Sequence, residues 1–300
     1  MSTLLVLGAG ASYGSDTSDT PPLGGALFDE LRKFNPHGWG TLPMALHSLF
    51  SGDFEAGMVE LNKTRSHSLP VLQRAMAAFF FNWQARNTNT YVGLAQKIKA
   101  AGWSGAICTL NYERLLEQCV SNVGLRPVVG SPSKPGYDLE ICFPHGCCHL
   151  FCDSVTGAAG AVSFAGMNVT TNGPVRAISN PHEFQKRITQ DAFPPVMSYF
   201  EPSKATTSGA NFIASQRQRY RDLINSAATV VVVGIRVRPH DQHIWEPLAK
   251  TGARVVYCSG KTAGAEFTTW AQKERPSKQN IVLDGYFKNE ITVIANELGL

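Results

Sequence analysis

Five residues at the start of the chain, Thr3 to Leu7, are apolar but for the first and run straight into glycine. A continuous apolar run of this kind predicts a strand buried on both faces of a parallel sheet. The pattern returns at residues 105–110, 139–143, 229–233, 254–257 and 280–283. Between these runs the apolar positions recur at helical spacing, which predicts helices over 26–33, 69–82, 91–101, 114–123, 210–225, 244–250, 265–273 and 287–298. Repeated strand–helix alternation predicts a three-layer α/β fold with a mostly parallel sheet covered on both sides. Residues 42–104 are too long for a simple crossover and read as a helical insertion. Residues 153–195, rich in Gly, Ala, Thr and Asn up to about 180, read as a mobile or irregular segment, and 196–199 as a further strand behind Pro194-Pro195. One domain over 1–300 accommodates all of this.

Composition narrows the class. Of 300 residues 43% are hydrophobic and 17% charged, the balance of a globular protein with a substantial core. A net charge of +4 is too small to point to nucleic acid, and the short basic stretches at 217–221 and 236–238 read as solvated faces or anion contacts. The N-terminus lacks the charged and apolar regions of a secretory signal, and no apolar run approaches the roughly twenty residues that span a bilayer. A cytoplasmic protein without membrane association is expected, and in that compartment its seven cysteines are expected as free thiols.

The candidate chemistry lies where strands end. Gly8-Ala9-Gly10-Ala11-Ser12 follows the first strand, where glycines let backbone approach a diphosphate and free N–H groups cradle its oxygens. Position 13 is Tyr13, not the third glycine of a dehydrogenase fingerprint. The acids about twenty residues on, Asp29 and Glu30, fall in a predicted helix, which argues against an ordinary nicotinamide dehydrogenase. The second strand ends in Thr109-Leu110-Asn111-Tyr112-Glu113, the third in Pro144-His145-Gly146, and a late one in Val233-Gly234. This puts a phosphate turn, a neutral amide, an imidazole and a flexible glycine turn at one sheet edge.

In this order the four motifs resemble those of the sirtuin family. They resemble more closely the sirtuin-like domains of bacterial anti-phage defence proteins, which hydrolyse NAD. The Pro21-Pro22-Leu23-Gly24 segment and Asp241-x-His243-Ile244 belong to the same likeness, which covers about residues 3–250. It implies a sirtuin-like version of the Rossmann sheet, with NAD as substrate and no metal. Asn111 would hold the nicotinamide ribose and position a water, and His145 would act as general base. Gly8, Ala9, Gly10, Ala11 and Ser12 would hold the diphosphate. Gly234 and Ile235 would approach the adenosine half, with Thr109, Glu113, Arg236 and Asp241 completing the contact set. The reaction implied is NAD hydrolysis to nicotinamide and ADP-ribose, as an NAD-depleting effector in anti-phage defence. Control would come from homo-oligomerisation or a separate regulatory protein. The competing activities are an NAD-dependent protein deacylase and a nucleotide sensor that leaves its ligand intact.

Several residues keep two readings. Glu113 stands where the family usually has Asp, which puts its contact with the carboxamide in question. The Pro-Asp-Phe-Arg segment of deacylating sirtuins is missing. Arg236 reads equally as a phosphate partner or as surface charge. Cys142, Cys147, Cys148 and Cys152, with His149, lack the paired Cys-x-x-Cys spacing of a zinc module and read first as buried thiols. His240, Asp241 and His243 suggest a metal, but a loop entering a helix is the preferred account, with Asp241 capping or touching a ribose. Phe79, Phe80, Phe81 and Trp83 read as helical core or an oligomer contact.

Overall fold

The computed structural model describes residues 2–153, 171–198, 208–238 and 241–300. Nine strands occur among them: β1 (Thr3–Leu7), β2 (Ala106–Thr109), β3 (Arg126–Val128), β4 (Asp138–Cys142), β5 (Leu150–Cys152), β6 (Val175–Ala177), β7 (Thr229–Val233), β8 (Arg254–Cys258) and β9 (Asn280–Leu283). The α-helices are α1 (Ala9–Ser12), α2 (Gly24–Phe34), α3 (Met44–Gly52), α4 (Phe54–Arg65), α5 (Leu69–Phe81), α6 (Thr90–Ala101), α7 (Leu115–Asn122), α8 (Pro181–Gln190), α9 (Ala210–Ser226), α10 (Gln242–Lys250), α11 (Gly260–Glu274) and α12 (Phe287–Leu298). Helices therefore fill the 42–104 insertion, as its periodicity predicts.

Seven strands form one sheet in the order β3-β4-β2-β1-β7-β8-β9, every neighbouring pair parallel. Central β1 pairs Leu5 with Ile107 on one side and with Val231 on the other. Its two faces enter two cores, as the period-2 geometry of a strand requires. Leu5 and Leu7 pack toward α2–α7 and α12, whereas Leu4 and Val6 pack toward α9, α10 and α11. The result is the predicted three-layer, Rossmann-like arrangement. From β1 the chain builds outward to β2, β4 and β3, then returns to build β7, β8 and β9 on the other side. The crevice beyond β1 and β7 is therefore the topological switch point, where open α/β sheets receive ligands.

Four differences from the sequence expectations have physical causes. Residues 196–198 form no strand. Met197 makes a single bridge to Gly146, while Val196 N–H donates to Leu150 O and Ser198 N–H to His145 O, so the segment folds onto the 145–150 loop instead of a sheet edge. Tyr199 of that expected strand, with Lys204 and His240, lies outside the described residues. Within the segment expected to be irregular, 175–190 is ordered as β6 and α8. Asn180 caps α8 by accepting from Glu183 N–H, with Pro181 following it, a start signal legible in the chain. The short β5–β6 antiparallel pair sets Phe151 opposite Arg176. Edge strand β3 was not anticipated, because Pro127 in a three-residue run reads against a strand.

The aromatic run of α5 is core. Phe80 stacks on Tyr112, and Phe81 on Phe184 with the Arg114 guanidinium over its other neighbourhood at 3.8 Å. All seven cysteines are buried free thiols. No described helix is long and apolar enough to cross a membrane.

Candidate functional site

His145 sits in a tight turn after β4. Gly146 N–H donates to Phe143 O, and Gly146 has φ +75°, a conformation that L side chains rarely adopt. A Cβ there would lie 1.9 Å from Val196 O, so only glycine permits the turn. Helix α9 clamps it from outside: Phe143 N–H donates to Gln216 Oε1 and Arg217 Nε–H to Pro144 O. The imidazole is thereby held 5% exposed, its ring 6.2 Å from that of Tyr112.

Loop 109–113 after β2 is tied to the first turn. Asn111 N–H donates to Thr109 Oγ1, so Thr109 shapes the loop. Asn111 Nδ2 donates to Ser12 Oγ at 2.9 Å. Ser12 also lies 2.5 Å from Glu113 Oε1 and 3.0 Å from Tyr91 Oη. A hydroxyl has one proton and two lone pairs. Ser12 therefore donates to the carboxylate and accepts from Asn111 and Tyr91, which leaves its side chain no capacity for a phosphate. Glu113 Oε2 accepts from Leu115 N–H at the start of α7. Burial raises the Glu113 pKa, opposed by these hydrogen bonds. Tyr91, in α6, carried no sequence signal for this role. In contrast to these satisfied groups, Asn111 Oδ1 is buried with no hydrogen-bond partner.

The glycines of the first turn serve a contact the sequence reading did not contain. Gly8 N–H donates to Val233 O and Gly10 N–H to Gly234 O, both at 2.9 Å, so neither is a free phosphate donor here. Ala11 N–H is likewise taken, by Gly8 O. A Cβ on Gly8 would stand 2.6 Å from Ile235 Cγ1, and one on Gly10 would stand 2.9 Å from Gly234 Cα. Gly234 itself has φ +70°. Its N–H donates to Cys258 O, and Ile235 N–H donates to Ser259 Oγ. The turns after β1 and β7 thus lock together across the switch point.

Beyond that lock, Asp241 precedes α10 and His243 lies in its first turn. His243 Nε2 is 2.7 Å from His145 Nε2, and a ring nitrogen of each histidine and an Asp241 carboxylate oxygen lie within 4.8 Å of one another. Such a pair can pass a proton taken up at buried His145 to the more exposed His243. Asp241 makes no side-chain cap to α10, the first of the two roles expected of it. Arg236 forms a two-pronged pair with Glu266 of α11, and its side chain is 61% exposed.

Beneath the loops is a second polar cluster, at cysteines whose first reading was as buried thiols. His149 Nδ1 lies 3.1 Å from Cys147 Sγ, and Glu117 Oε1 lies 3.8 Å from His149 Nε2. Burial, with Arg114 nearby, lowers the His149 pKa to about 3. Burial and the neighbouring Glu113 charge raise that of Glu117 to about 8. At neutral pH this close contact therefore joins two uncharged groups. Two open surface concavities lie away from all these residues, one lined by Gln96, Lys99 and Asn122, the other by Asp29, Arg32 and Pro36.

Asn111, Ser12, Thr109 and Glu113 thus form one bonded group, while His145, Asp241 and His243 form another. The loop of Gly234 and Ile235 closes over the first turn, and Arg236 points away to Glu266. No family model matches the sequence, and no curated protein does. Among solved structures the chain is similar to one from a study of sirtuin substrate affinity, at 14% identity and TM-score 0.44, covering 99% of this chain and 92% of that one. It is similar too to a Sir2 protein bound to an inhibitor, 2'-O-acetyl-ADP-ribose and a deacetylated peptide, at 12% identity and TM-score 0.48, covering 99% and 94%. A third is a mutant Sir2 homologue in complex with ADP-ribose, at 11% identity and TM-score 0.43, covering 99% and 91%.

Proposed function

We propose that the protein hydrolyses NAD at the bond between nicotinamide and ribose. The observation that carries this reading is Asn111 Oδ1, a buried acceptor without a partner at the carboxyl edge of the sheet. An unmet buried acceptor costs about 1–3 kcal/mol, which a ligand hydroxyl relieves. Asn111 Nδ2 is fixed by Ser12, so the amide presents its oxygen to a ribose hydroxyl or a water in one orientation. His145, at the end of the neighbouring strand, accepts the proton.

In the reaction water attacks the ribose carbon, the N-glycosidic bond breaks, and nicotinamide leaves as a neutral molecule. The water's proton goes to His145 and from there to His243. The transition state carries oxocarbenium character, so positioning and a preorganised polar environment contribute more than strong acid catalysis. Because Gly8, Gly10 and Ser12 are engaged within the protein, diphosphate binding by the first turn requires the loop at Gly234 to move from the turn. An NAD-depleting role in anti-phage defence, released by self-assembly or by another polypeptide, goes with this reading.

The test is incubation of purified protein with NAD, following nicotinamide release with and without an acylated peptide. Release without peptide, abolished in Asn111→Ala, supports hydrolysis. Release only with peptide makes the protein a deacylase, and NAD bound but recovered intact makes it a sensor.

A further inference from the structure

We propose that His145, Asp241 and His243 form a binding site for a divalent transition metal of the zinc class, and that its occupation switches His145 off as a base. One ring nitrogen from each imidazole and a carboxylate oxygen converge within 4.8 Å. Two histidines and one carboxylate are a recurrent zinc donor set that leaves a coordination position open. They come from two parts of the chain, the two histidines being 98 residues apart, and each part is placed by its own device. His145 is fixed by the Gly146 turn and the α9 clamp, and Asp241 and His243 by the entry into α10. Asp241 holds the position from which an acid ordinarily caps a helix, yet its side chain makes no capping hydrogen bond and a carboxylate oxygen lies close to both imidazoles.

The geometry needs one small adjustment. The Nε2 atoms stand 2.7 Å apart, a hydrogen-bonding distance. Tetrahedral zinc with Zn–N bonds of about 2.0–2.1 Å sets its nitrogen ligands about 3.3 Å apart. His243 is the partner able to move, being half-buried at the start of a helix, whereas His145 is locked. On binding, the hydrogen between the two rings leaves its Nε2 for the Nδ1 of the same ring, so both neutral imidazoles coordinate through Nε2. A lone pair given to the metal cannot accept a proton, so metal and base function exclude each other at His145. This departs from the expectation of a metal-free protein. Metal binding itself does not depend on the NAD reading; only its effect on turnover does.

The experiment uses the full chain, stripped with a chelator and titrated with Zn2+ and then Co2+ in the absence of NAD. One equivalent per chain should be retained through gel filtration. Cobalt should give visible bands of a low-coordinate nitrogen and oxygen site without thiolate-to-metal charge transfer, a reading that needs no variant. His243→Gln and Asp241→Asn, each checked by its thermal melt, should weaken Zn2+ by more than the about 10–100-fold that an outer-shell change costs. Failure to retain metal, unchanged affinity in both variants, or a thiolate band implicating Cys147 and Cys148 would overturn the proposal. In an active preparation, Zn2+ should suppress nicotinamide release and chelator should restore it. An inactive preparation that still binds one metal through these residues upholds the site and counts against the NAD reading alone.

Discussion

Asn111 Nδ2 donates to Ser12 Oγ across 99 residues of sequence, and this bond joins the loop after β2 to the turn after β1. Ser12 in turn donates to Glu113 and accepts from Tyr91, so its hydroxyl is the common partner of three buried groups. Removing it leaves all three to find other partners. Ser12→Ala should therefore lower unfolding stability by about 2–4 kcal/mol, given about 1–3 kcal/mol per unmet buried group and partial relaxation. Urea unfolding measures it. A side chain that served only to bind diphosphate would instead raise KM for NAD with stability unchanged.

The bonded group around Ser12 shows how far sequence reading reaches. Strands β1, β7 and β9 were legible to the residue, because an aliphatic run flanked by glycine or polar residues has few other uses. That Asn111 and His145 share the sheet's carboxyl edge followed from each standing just after a strand of a parallel sheet. Their partners were not legible. Tyr91 reaches Ser12 from a helix whose apolar spacing marks that residue only as core. The pairing of Gly10 with Gly234 depends on β1 and β7 being neighbours, which no local pattern encodes. Glycines read as room for a phosphate are, in this structure, room for another loop.

On the proposed hydrolysis, Asn111→Ala should lower kcat for nicotinamide release by about 10^2–10^3, the usual effect of losing one preorganised polar group. His145→Ala should lower it by about 10^2–10^4. Because both act on one step, the double variant should be far less impaired than the product of the single losses. Single-turnover assays on variants with wild-type thermal melts provide the check. Fully additive losses would mean that the two residues act at separate steps.

Stability should peak under mildly acidic conditions. His149, lowered to about 3 from 6.5, stays neutral when folded, so the unfolded chain gains a proton as pH falls below 6.5 and stability is lost on acidification. Glu117, raised to about 8 from 4.5, keeps its proton when folded, so the unfolded chain is favoured as pH rises from 4.5 to 8. Glu113, also raised by burial, acts with the same sign as Glu117. The His149 and Glu117 slopes oppose each other between 4.5 and 6.5, and above 6.5 only the carboxyl slope remains, at most about 1.4 kcal/mol per pH unit per group. Urea midpoints across pH 4–9 should fall from 6.5 to 8, and Glu117→Gln should flatten much of that fall. A midpoint that rises over this range in the parent protein would contradict the assignment.

The lock between the first turn and the β7 loop is tested by comparing two glycines with nearly the same backbone. Gly14 and Gly234 have φ of +75° and +70°. A Cβ on Gly14 meets nothing within 4 Å, whereas one on Gly234 would lie 2.0 Å from Ala11 N and 2.5 Å from Gly10 C. Gly14→Ala should therefore cost only the backbone penalty, about 1–2 kcal/mol. Gly234→Ala adds a clash with main-chain atoms that have no rotamer to escape into, and the two turns must part. Its loss should exceed that of Gly14→Ala by at least about 2 kcal/mol, within the range of severe packing defects. Since diphosphate binding calls for the same parting, Gly234→Ala should also bind ADP-ribose faster than the parent at temperatures where it remains folded. Equal stability losses at the two glycines would show that the turns are not locked in solution. Slower ADP-ribose association in Gly234→Ala would show that the parted loop does not open the site.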